Sequence, residues 1–317
     1  MTEASAVGTV SLPHADGAAE LRRAGAAVRT TLAAGGAITS VQLDDIEWCA
    51  RGRWVDHLPT LGGCTMPTFV AGVAGQVLPE GGVLAAVPPR VSVAADGTRE
   101  AVMSDWDAEA YPLAVGRTVA FDADGAIHLA YAATNPRATP VPFIWGISIP
   151  LAWDPSVRIE LPAGVRARVA ASWGEGFPAA GSEFTWPQLR NGGELIDLAR
   201  PTQLPKGFGV TCFVELPAAG VTLRTSAGAM TIRGTRGVVS HLRVAIDHEA
   251  PVPGRAPSRW WRRRPAHRTV SIAPTVGAPD TLLDAVGAWK AARWVEPGKT
   301  LQWDVRFARA VEPDDAP

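Results

Sequence analysis

Residues 270–307 read V-S-I-A-P-T-V-G-A-P-D-T-L-L-D-A-V-G-A-W-K-A-A-R-W-V-E-P-G-K-T-L-Q-W-D-V-R-F. The first apolar residues predict a strand that Pro274 ends, and Asp280 is the expected N-cap of a short helical segment. Residues 296–299 (E-P-G-K) have the proline–glycine order of a type II turn. Residues 301–307 alternate between apolar and polar types, as in a half-buried strand. This segment indicates antiparallel β-structure.

Similar short strands are predicted along the whole chain. Residues 113–121 and 126–133 are two apolar strands joined by D-A-D-G, an Asp-Gly hairpin turn. Further strands are expected at residues 157–162, 208–216, 221–225, 229–233 and 242–246. Because no amphipathic helix of three turns accompanies them, the chain is expected to be an all-β antiparallel sandwich. We expect one domain over residues 18–310, between a flexible tail at 1–17 and a short tail at 311–317.

The composition narrows the classes of function. The chain has 317 residues, of which 47% are hydrophobic, so it can bury a large core. The chain has 30 Lys and Arg and 31 Asp and Glu, so its charge is nearly balanced. Proteins that bind nucleic acids are usually basic, so this balance argues against a nucleic-acid partner. No apolar run is long enough to span a membrane, and residues 1–10 lack the pattern of a secretory signal. Three cysteines without C-x-x-C spacing are expected to be reduced thiols in a cytoplasmic protein.

Several motifs together resemble the galactose-mutarotase-like superfamily, the aldose 1-epimerase family. They are G-G-A-I-T-S-V at residues 35–41, L-G-G-C-T-M-P at 61–67, L-P-E-G-G at 78–82, V-P-F-I-W-G-I-S-I-P at 141–150, and the closing segment with S-I-A-P at 271–274 and P-G-K-T-L-Q-W at 297–303. The resemblance covers most of the chain. It implies a galactose-mutarotase-like antiparallel β super-sandwich whose partner is a small-molecule carbohydrate.

The resemblance also shows where this chain departs from the catalytic members. The position of the family's catalytic Glu is Ala273, and the positions of its two catalytic His are Ser148 and Gly81. Alanine and glycine cannot move a proton, and a serine hydroxyl needs a partner to do so. The sequence therefore predicts a divergent member that binds a sugar without the standard mutarotase chemistry. The alternative is an active aldose 1-epimerase that uses relocated carboxylates, with Glu80 and Glu175 as candidates.

Sugar binding needs flat apolar faces beside converging polar groups. The chain has 12 tryptophans, and Trp145, Trp173 and Trp186 lie in or near segments that resemble site-lining ones. Each could instead pack in the core, the usual place for tryptophan on a strand. Arg90 is a weak match to a sugar-contacting arginine of some members. The predicted substrate-binding residues are Gly81, Arg90, Trp145, Ser148, Trp173 and Ala273.

Other polar residues are not expected to take part in catalysis or sugar binding. His241, His248 and the Asp56-His57 pair are expected to be surface or internally hydrogen-bonded groups. The loop from Arg255 to Arg268, rich in Arg and Trp, could contact a partner, so an interaction scaffold is a second alternative. The sequence contains neither metal-ligand spacing nor a phosphate-binding glycine loop, so no cofactor and no metal are expected. It carries no signal for an oligomeric state.

Overall fold

The computed structural model describes residues 9–11, 18–23, 25–31, 36–49, 55–57, 84, 89–95, 100–106, 112–174, 176–249 and 268–310. Several features singled out in the sequence lie outside these residues. They are the motifs at residues 61–67 and 78–82, the latter with Glu80 and Gly81, as well as Glu175 and the part of the Arg/Trp loop before Arg268.

The described chain is built from short strands. In chain order they are β1 Thr9–Ser11, β2 Ala18–Arg23, β3 Ala26–Thr31, β4 Ile38–Leu43, β5 Ile46–Glu47, β6 Val55–His57, β7 Arg90–Ala95, β8 Glu100–Trp106, β9 Ala114–Phe121, β10 Ile127–Thr134, β11 Val141–Phe143, β12 Trp145–Leu151, β13 Arg158–Glu160, β14 Arg166–Trp173, β15 Glu183–Thr185, β16 Gln188–Asn191, β17 Glu194–Asp197, β18 Phe208–Glu215, β19 Val221–Thr225, β20 Gly228–Gly234, β21 His241–His248, β22 Arg268–Val276, β23 Arg293–Val295 and β24 Thr300–Arg309. A 3-10 turn covers Pro201–Gln203, and a short helix, α1, covers Leu282–Val286.

The strands form two large sheets and two small ones. The nine-stranded sheet has the order β17-β16-β15-β14-β18-β21-β22-β12-β6, and the eight-stranded sheet has the order β13-β19-β20-β24-β10-β9-β8-β7. The five strands β1 to β5 form a sheet in chain order, and β11 pairs with β23. Neighbouring strands run antiparallel, which confirms the predicted all-β antiparallel fold.

The predicted strand pattern of the eight-stranded sheet is confirmed. Along β10 buried and half-buried residues alternate, so one face of the strand is internal. The hairpin between β9 and β10 closes where D-A-D-G predicts it, with the Asp122 amide donating to the Ala126 carbonyl at 2.8 Å. Gly125 has φ +81°, a left-handed conformation that glycine adopts without steric cost.

The core lies between the two large sheets. Tyr131 of β10 and Trp303 of β24 stack with ring centroids 5.3 Å apart. Trp145 of β12, from the opposite sheet, packs against both, at 4.5 Å from Tyr131 and 5.4 Å from Trp303. Large aromatic rings in contact bury much apolar area, so this cluster stabilises the sandwich.

The segment that closes the fold departs from its prediction at two points, the end of β22 and the cap of α1. The expectation that Pro274 ends the strand is wrong, because Pro274 stays in register opposite Leu242 and β22 continues to Val276. The type II turn at residues 296–299 is present, because the Lys299 amide donates to the Glu296 carbonyl at 3.0 Å and Gly298 has φ +66°. Helix α1 begins one residue later than expected: Thr281 is its N-cap, and its hydroxyl accepts from the Asp284 amide at 3.3 Å. The expectation of Asp280 as the cap is therefore wrong, since its carboxylate pairs with Arg243 instead.

The five-stranded sheet begins earlier than the sequence suggests. β1 pairs with β2, with Val10 opposite Leu21, so ordered pairing already starts inside residues 1–17, which the sequence analysis assigns to a tail. Arg117 of β9 joins this sheet to the larger one, because its guanidinium donates to the Gly36 carbonyl at 2.7 Å. Within the described residues, no helix has the length and apolar character needed to cross a membrane.

Candidate functional site

One row of side chains crosses the nine-stranded sheet from strand to strand. Arg168 of β14 lies opposite Phe213 of β18, Phe213 lies opposite Arg243 of β21, and Arg243 lies opposite Ala273 of β22. β12 pairs with β22 in one continuous register on either side of Ser148, which puts Ser148 opposite Ala273. We call these five residues the site row.

The site row lies on the sheet face that points away from the core. Side chains alternate along a strand, and the neighbours of Ala273 and Ser148, Ile272 and Ile147, are fully buried in the core cluster. Ala273 is nevertheless only 1% exposed. The chain between β22 and β23 contributes to this cover, because two of its residues contact the site row.

The first of these residues is Asp280, which meets the middle of the site row. Its Oδ2 accepts from Arg243 Nε at 2.9 Å, and the two side chains are 24% and 15% exposed. Arg243 also approaches the Ser271 hydroxyl at 3.5 Å. A charge pair shielded from water is stronger than a surface pair, so it fixes the Arg243 guanidinium beside Ala273.

The second residue is Trp289, which covers the other end. The Arg168 guanidinium carbon lies 4.3 Å from the centroid of the Trp289 ring, within cation–π range. The same ring meets Phe213 edge to face at 5.8 Å. A cavity of about 410 Å³ opens here, and these three residues line it together with His241 and Glu215.

His241 is held in its neutral form at this end of the sheet. Its Nδ1 lies 2.8 Å from the Ser240 hydroxyl, and Glu215 is its cross-strand neighbour. Burial lowers the pKa of His241 from 6.5 to about 4, because desolvation disfavours the charged imidazolium. Glu215 acts in the opposite direction and Arg293 adds to the lowering. At neutral pH the imidazole is therefore an uncharged donor or acceptor.

Solved structures share this arrangement of sheets. The Slr1438 protein from Synechocystis sp. PCC 6803 superposes with a TM-score of 0.63 at 13% identity, over 98% of this chain and 100% of that one. A galactose mutarotase-like protein from Clostridium acetobutylicum gives 0.59 at 8% identity, over 96% and 99%. A galactose mutarotase related enzyme from Lactobacillus acidophilus gives 0.55 at 14% identity, over 96% and 97%.

This chain has the galactose mutarotase-like fold. The fold implied by the sequence resemblance is thus confirmed. No protein-family model matches the sequence, and no curated protein gives a significant match.

Within the mutarotase-like fold, three of the predicted site residues share one sheet face. Ser148 and Ala273 are neighbours in the site row. Trp173 lies opposite Gly209, four residues from Phe213 along β18, so it is on the same face further along the strands. Trp173 is half-buried, which leaves part of its indole accessible.

The other predicted site residues lie elsewhere. Trp145 is 2% exposed and its ring is part of the core cluster with Tyr131 and Trp303, on the face opposite Ser148. Trp186 is buried as well. Arg90 begins β7 at the edge of the eight-stranded sheet, opposite Asp105, and is exposed. The structure therefore separates Trp145 and Arg90 from the site row.

Sequence reasoning missed Arg243, Arg168, Phe213 and Trp289 as site residues. The strands of Arg168, Phe213 and Arg243 look ordinary, and only the register between strands brings these three residues into one row. Trp289 follows α1, and only the packing of that segment places it over the row. One signal was available. Asp280 stands in the part of the closing segment that resembles the mutarotase ending, and a carboxylate there could have been searched for a basic partner.

Proposed function

We propose that this protein recognises a carbohydrate on the face of the site row, around Ser148, Ala273 and the Arg243–Asp280 pair, without exchanging its anomers. The support is the fold, which it shares with proteins named for galactose mutarotase, and the chemistry of the residues on this face. Fold alone does not give function, so the argument rests on the site.

The observation that carries the proposal is the pairing of Ala273 with Ser148 beside Arg243. Mutarotation needs one group that takes the proton of the anomeric hydroxyl and another that protonates the ring oxygen. The resemblance places the base at Ala273 and one acid at Ser148. A methyl group and a hydroxyl on adjacent strands cannot supply that pair. We infer from this that the protein does not exchange anomers at these two positions.

Recognition groups remain around that position. Arg243 offers guanidinium N–H donors, Asp280 offers carboxylate oxygens, and Ser148 and Ser271 offer hydroxyls. Converging donors and acceptors of this kind suit sugar hydroxyls, and the indole of Trp173 on the same face provides an apolar surface. Because Asp280 is engaged by Arg243, it serves as a hydrogen-bond acceptor and not as an acid.

A second candidate function is an active aldose 1-epimerase with relocated acid and base. The neutral imidazole of His241 favours it, because this group lies next to Thr275, which is in turn two residues from Ala273 on β22. Glu80 and Glu175 remain the other candidates from the sequence. Such an enzyme would accelerate the exchange of anomers.

NMR exchange spectroscopy on a panel of aldoses and sugar phosphates separates the two functions. We expect the protein to broaden the resonances of at least one sugar while the rate of α–β exchange stays at its uncatalysed value. The Asp280→Asn variant should lose this broadening, whereas Glu160→Gln, in an exposed pair on the other sheet, should keep it. Faster exchange would overturn the binding-only proposal, and the absence of any broadening would overturn carbohydrate recognition.

A further inference from the structure

The cavity of about 410 Å³ beside Phe213 has the size of a ligand pocket, which is commonly about 300–1,000 Å³. Residues of β14, β15, β18 and β21 line it, and the chain after α1 closes it with Trp289. The sugar position proposed around Ser148 and Ala273 does not include this second space.

The lining of the cavity suits a neutral polyhydroxylated ring. Arg166 and Arg168 contribute two positive charges, Glu183 and Glu215 contribute two negative charges, and His241 is neutral at pH 7. Arg166 and Glu215 already pair at 2.7 Å, so the excess of charge that would select a phosphate or an amine is lacking in this lining. The lining instead combines polar donors and acceptors with an indole, the two requirements of sugar binding.

The position of the cavity relates it to the sugar site. Phe213, in the cavity wall, is two strands from Ala273 along the site row, with Arg243 between them. Adjacent strands lie about 4.8 Å apart, so the two positions are roughly 10 Å apart. A single sugar ring does not fill both, whereas linked rings can lie across the Arg243–Asp280 pair.

We infer that the cavity is a second sugar subsite and that the ligand is a neutral disaccharide or a longer saccharide. One ring occupies the cavity against Trp289, and the next lies beside the half-buried Ser148 and the Arg243–Asp280 pair. This inference rests on the proposed function, because the second ring uses the site proposed there.

A larger cavity of about 590 Å³ lies on the eight-stranded sheet and fits a sugar less well. Small residues such as Gly116 and Ala132 form part of its lining, with Asp105 and Asp304 as carboxylates. Its two aromatic residues, Tyr131 and Trp303, are buried and stack on each other in the core. Their rings are thus engaged on the inner face of the sheet, unlike the half-buried Trp289.

Calorimetric titration of the full chain tests the inference directly. The probes are galactose and glucose, the disaccharides lactose, cellobiose and maltose, and glucose 6-phosphate. We expect at least one disaccharide to bind about tenfold more tightly than its component monosaccharide, since a second buried ring adds a set of contacts. Glucose 6-phosphate should bind no better than glucose.

Two variants alter the cavity, and a third variant, at Trp294, serves as the control. Trp289→Ala removes the aromatic wall, and Thr185→Trp places a bulky side chain in the cavity from the exposed end of β15 while keeping both Trp289 and Phe213. Each should reduce disaccharide affinity about tenfold, to the monosaccharide value, and Thr185→Trp should leave monosaccharide affinity unchanged. Trp294→Ala, at an indole that is 44% exposed on β23, should change neither affinity. If Trp289→Ala unfolds, Thr185→Trp still gives the answer.

The outcomes distinguish failure of the subsite from failure of the proposed function. Monosaccharide binding with no gain for any disaccharide overturns the second subsite and leaves the proposed function standing. A disaccharide gain that survives both cavity variants also overturns it. Absence of binding for every sugar overturns the proposed function and the subsite with it.

Discussion

The two ends of the site row differ in chemistry although they belong to one sheet face. At one end, Ser148 and Ala273 offer a hydroxyl and a buried methyl group. At the other end, Arg168 stacks on Trp289 beside Phe213 and a cavity. Arg243, paired with Asp280, stands between them.

The difference indicates how a sandwich of this fold can change its use. Proton transfer depends on one or two ionisable groups at fixed positions, so their substitution would remove such chemistry without disturbing the strands. Recognition that is spread over several strands would survive such a change. The predictions below test whether the two ends are as different as their residues indicate.

The largest effect on stability is expected at the end of the site row where Phe213 packs against Trp289. Phe213 is 2% exposed and contacts Trp289 and His241, so Phe213→Ala leaves a cavity in a covered part of the sheet. We expect the free energy of unfolding to fall by about 3–5 kcal/mol in urea titrations. Trp294→Ala, at an exposed indole, should cost less than about 0.5 kcal/mol. Similar losses for the two variants would mean that this end is not tightly packed.

The second-largest effect on stability is expected in the middle of the site row, at the Arg243–Asp280 pair. Asp280→Asn leaves the Arg243 guanidinium, 15% exposed, without its charged partner, so we expect unfolding to become about 2–3 kcal/mol easier. The matched control is Glu160→Gln. It breaks an Arg–Glu pair of 3.1 Å whose side chains are 37% and 45% exposed, and it should cost less than about 0.5 kcal/mol. Equal costs would contradict the shielded character of the Arg243–Asp280 pair.

The neutral imidazole gives a pH-dependent prediction. Because burial lowers the pKa of His241 from 6.5 to about 4, the unfolded chain binds more protons than the folded one between these values. Stability should therefore be unaffected by this group above pH 6.5 and fall as the pH drops towards 4, by about 2 kcal/mol at pH 5.

Urea midpoints of the parent and His241→Gln between pH 7 and pH 5 measure this contribution. The variant should lose less stability than the parent over that range, while at pH 7 the two differ only through the contacts of the ring. An NMR titration that places the His241 pKa near 6.5 would contradict the burial of this group.

The smallest effect is expected at the end of the site row that holds Ser148 and Ala273. Ser148→Ala removes one half-buried hydroxyl, so stability should change by less than about 0.5 kcal/mol. If the hydroxyl meets a sugar, affinity should fall by roughly twofold to tenfold, the value of one neutral hydrogen bond. Urea titration measures the change in stability, and calorimetric titration with the sugar selected by the NMR panel measures the change in affinity. An unchanged affinity would remove Ser148 from the proposed site.

Much of the fold could be predicted because it is encoded locally. The strand at β19 has the predicted bounds, and β9, β10 and β18 begin and end within a residue of their predictions. Alternating residue types and turns such as D-A-D-G depend on neighbours a few positions away. The prediction that Ala273 stands at the position of the family's Glu likewise rests on a local motif, S-I-A-P at residues 271–274.

The candidate site was predicted less completely for two physical reasons. A period of two shows that Trp145 and Ser148 fall on opposite faces of β12, but it does not show which face meets the other sheet. The sequence places Asp280 in a loop before α1. Whether its carboxylate caps α1 or pairs with Arg243 depends on the position of β21 in the fold, which the local sequence does not give.

By itself, the sequence determined an all-β chain with short strands and specific turns, and it led to the prediction that Ala273 and Ser148 stand where catalytic members of the mutarotase-like family carry proton-transfer groups. These properties follow from residue identity and from contacts between near neighbours. Only the tertiary structure decided that Arg168, Phe213, Arg243, Ala273 and Ser148 form one row and that Trp289 closes a cavity beside it. The physical reason is strand register, which joins residues that are distant in the sequence and is fixed by the packing of the whole sandwich.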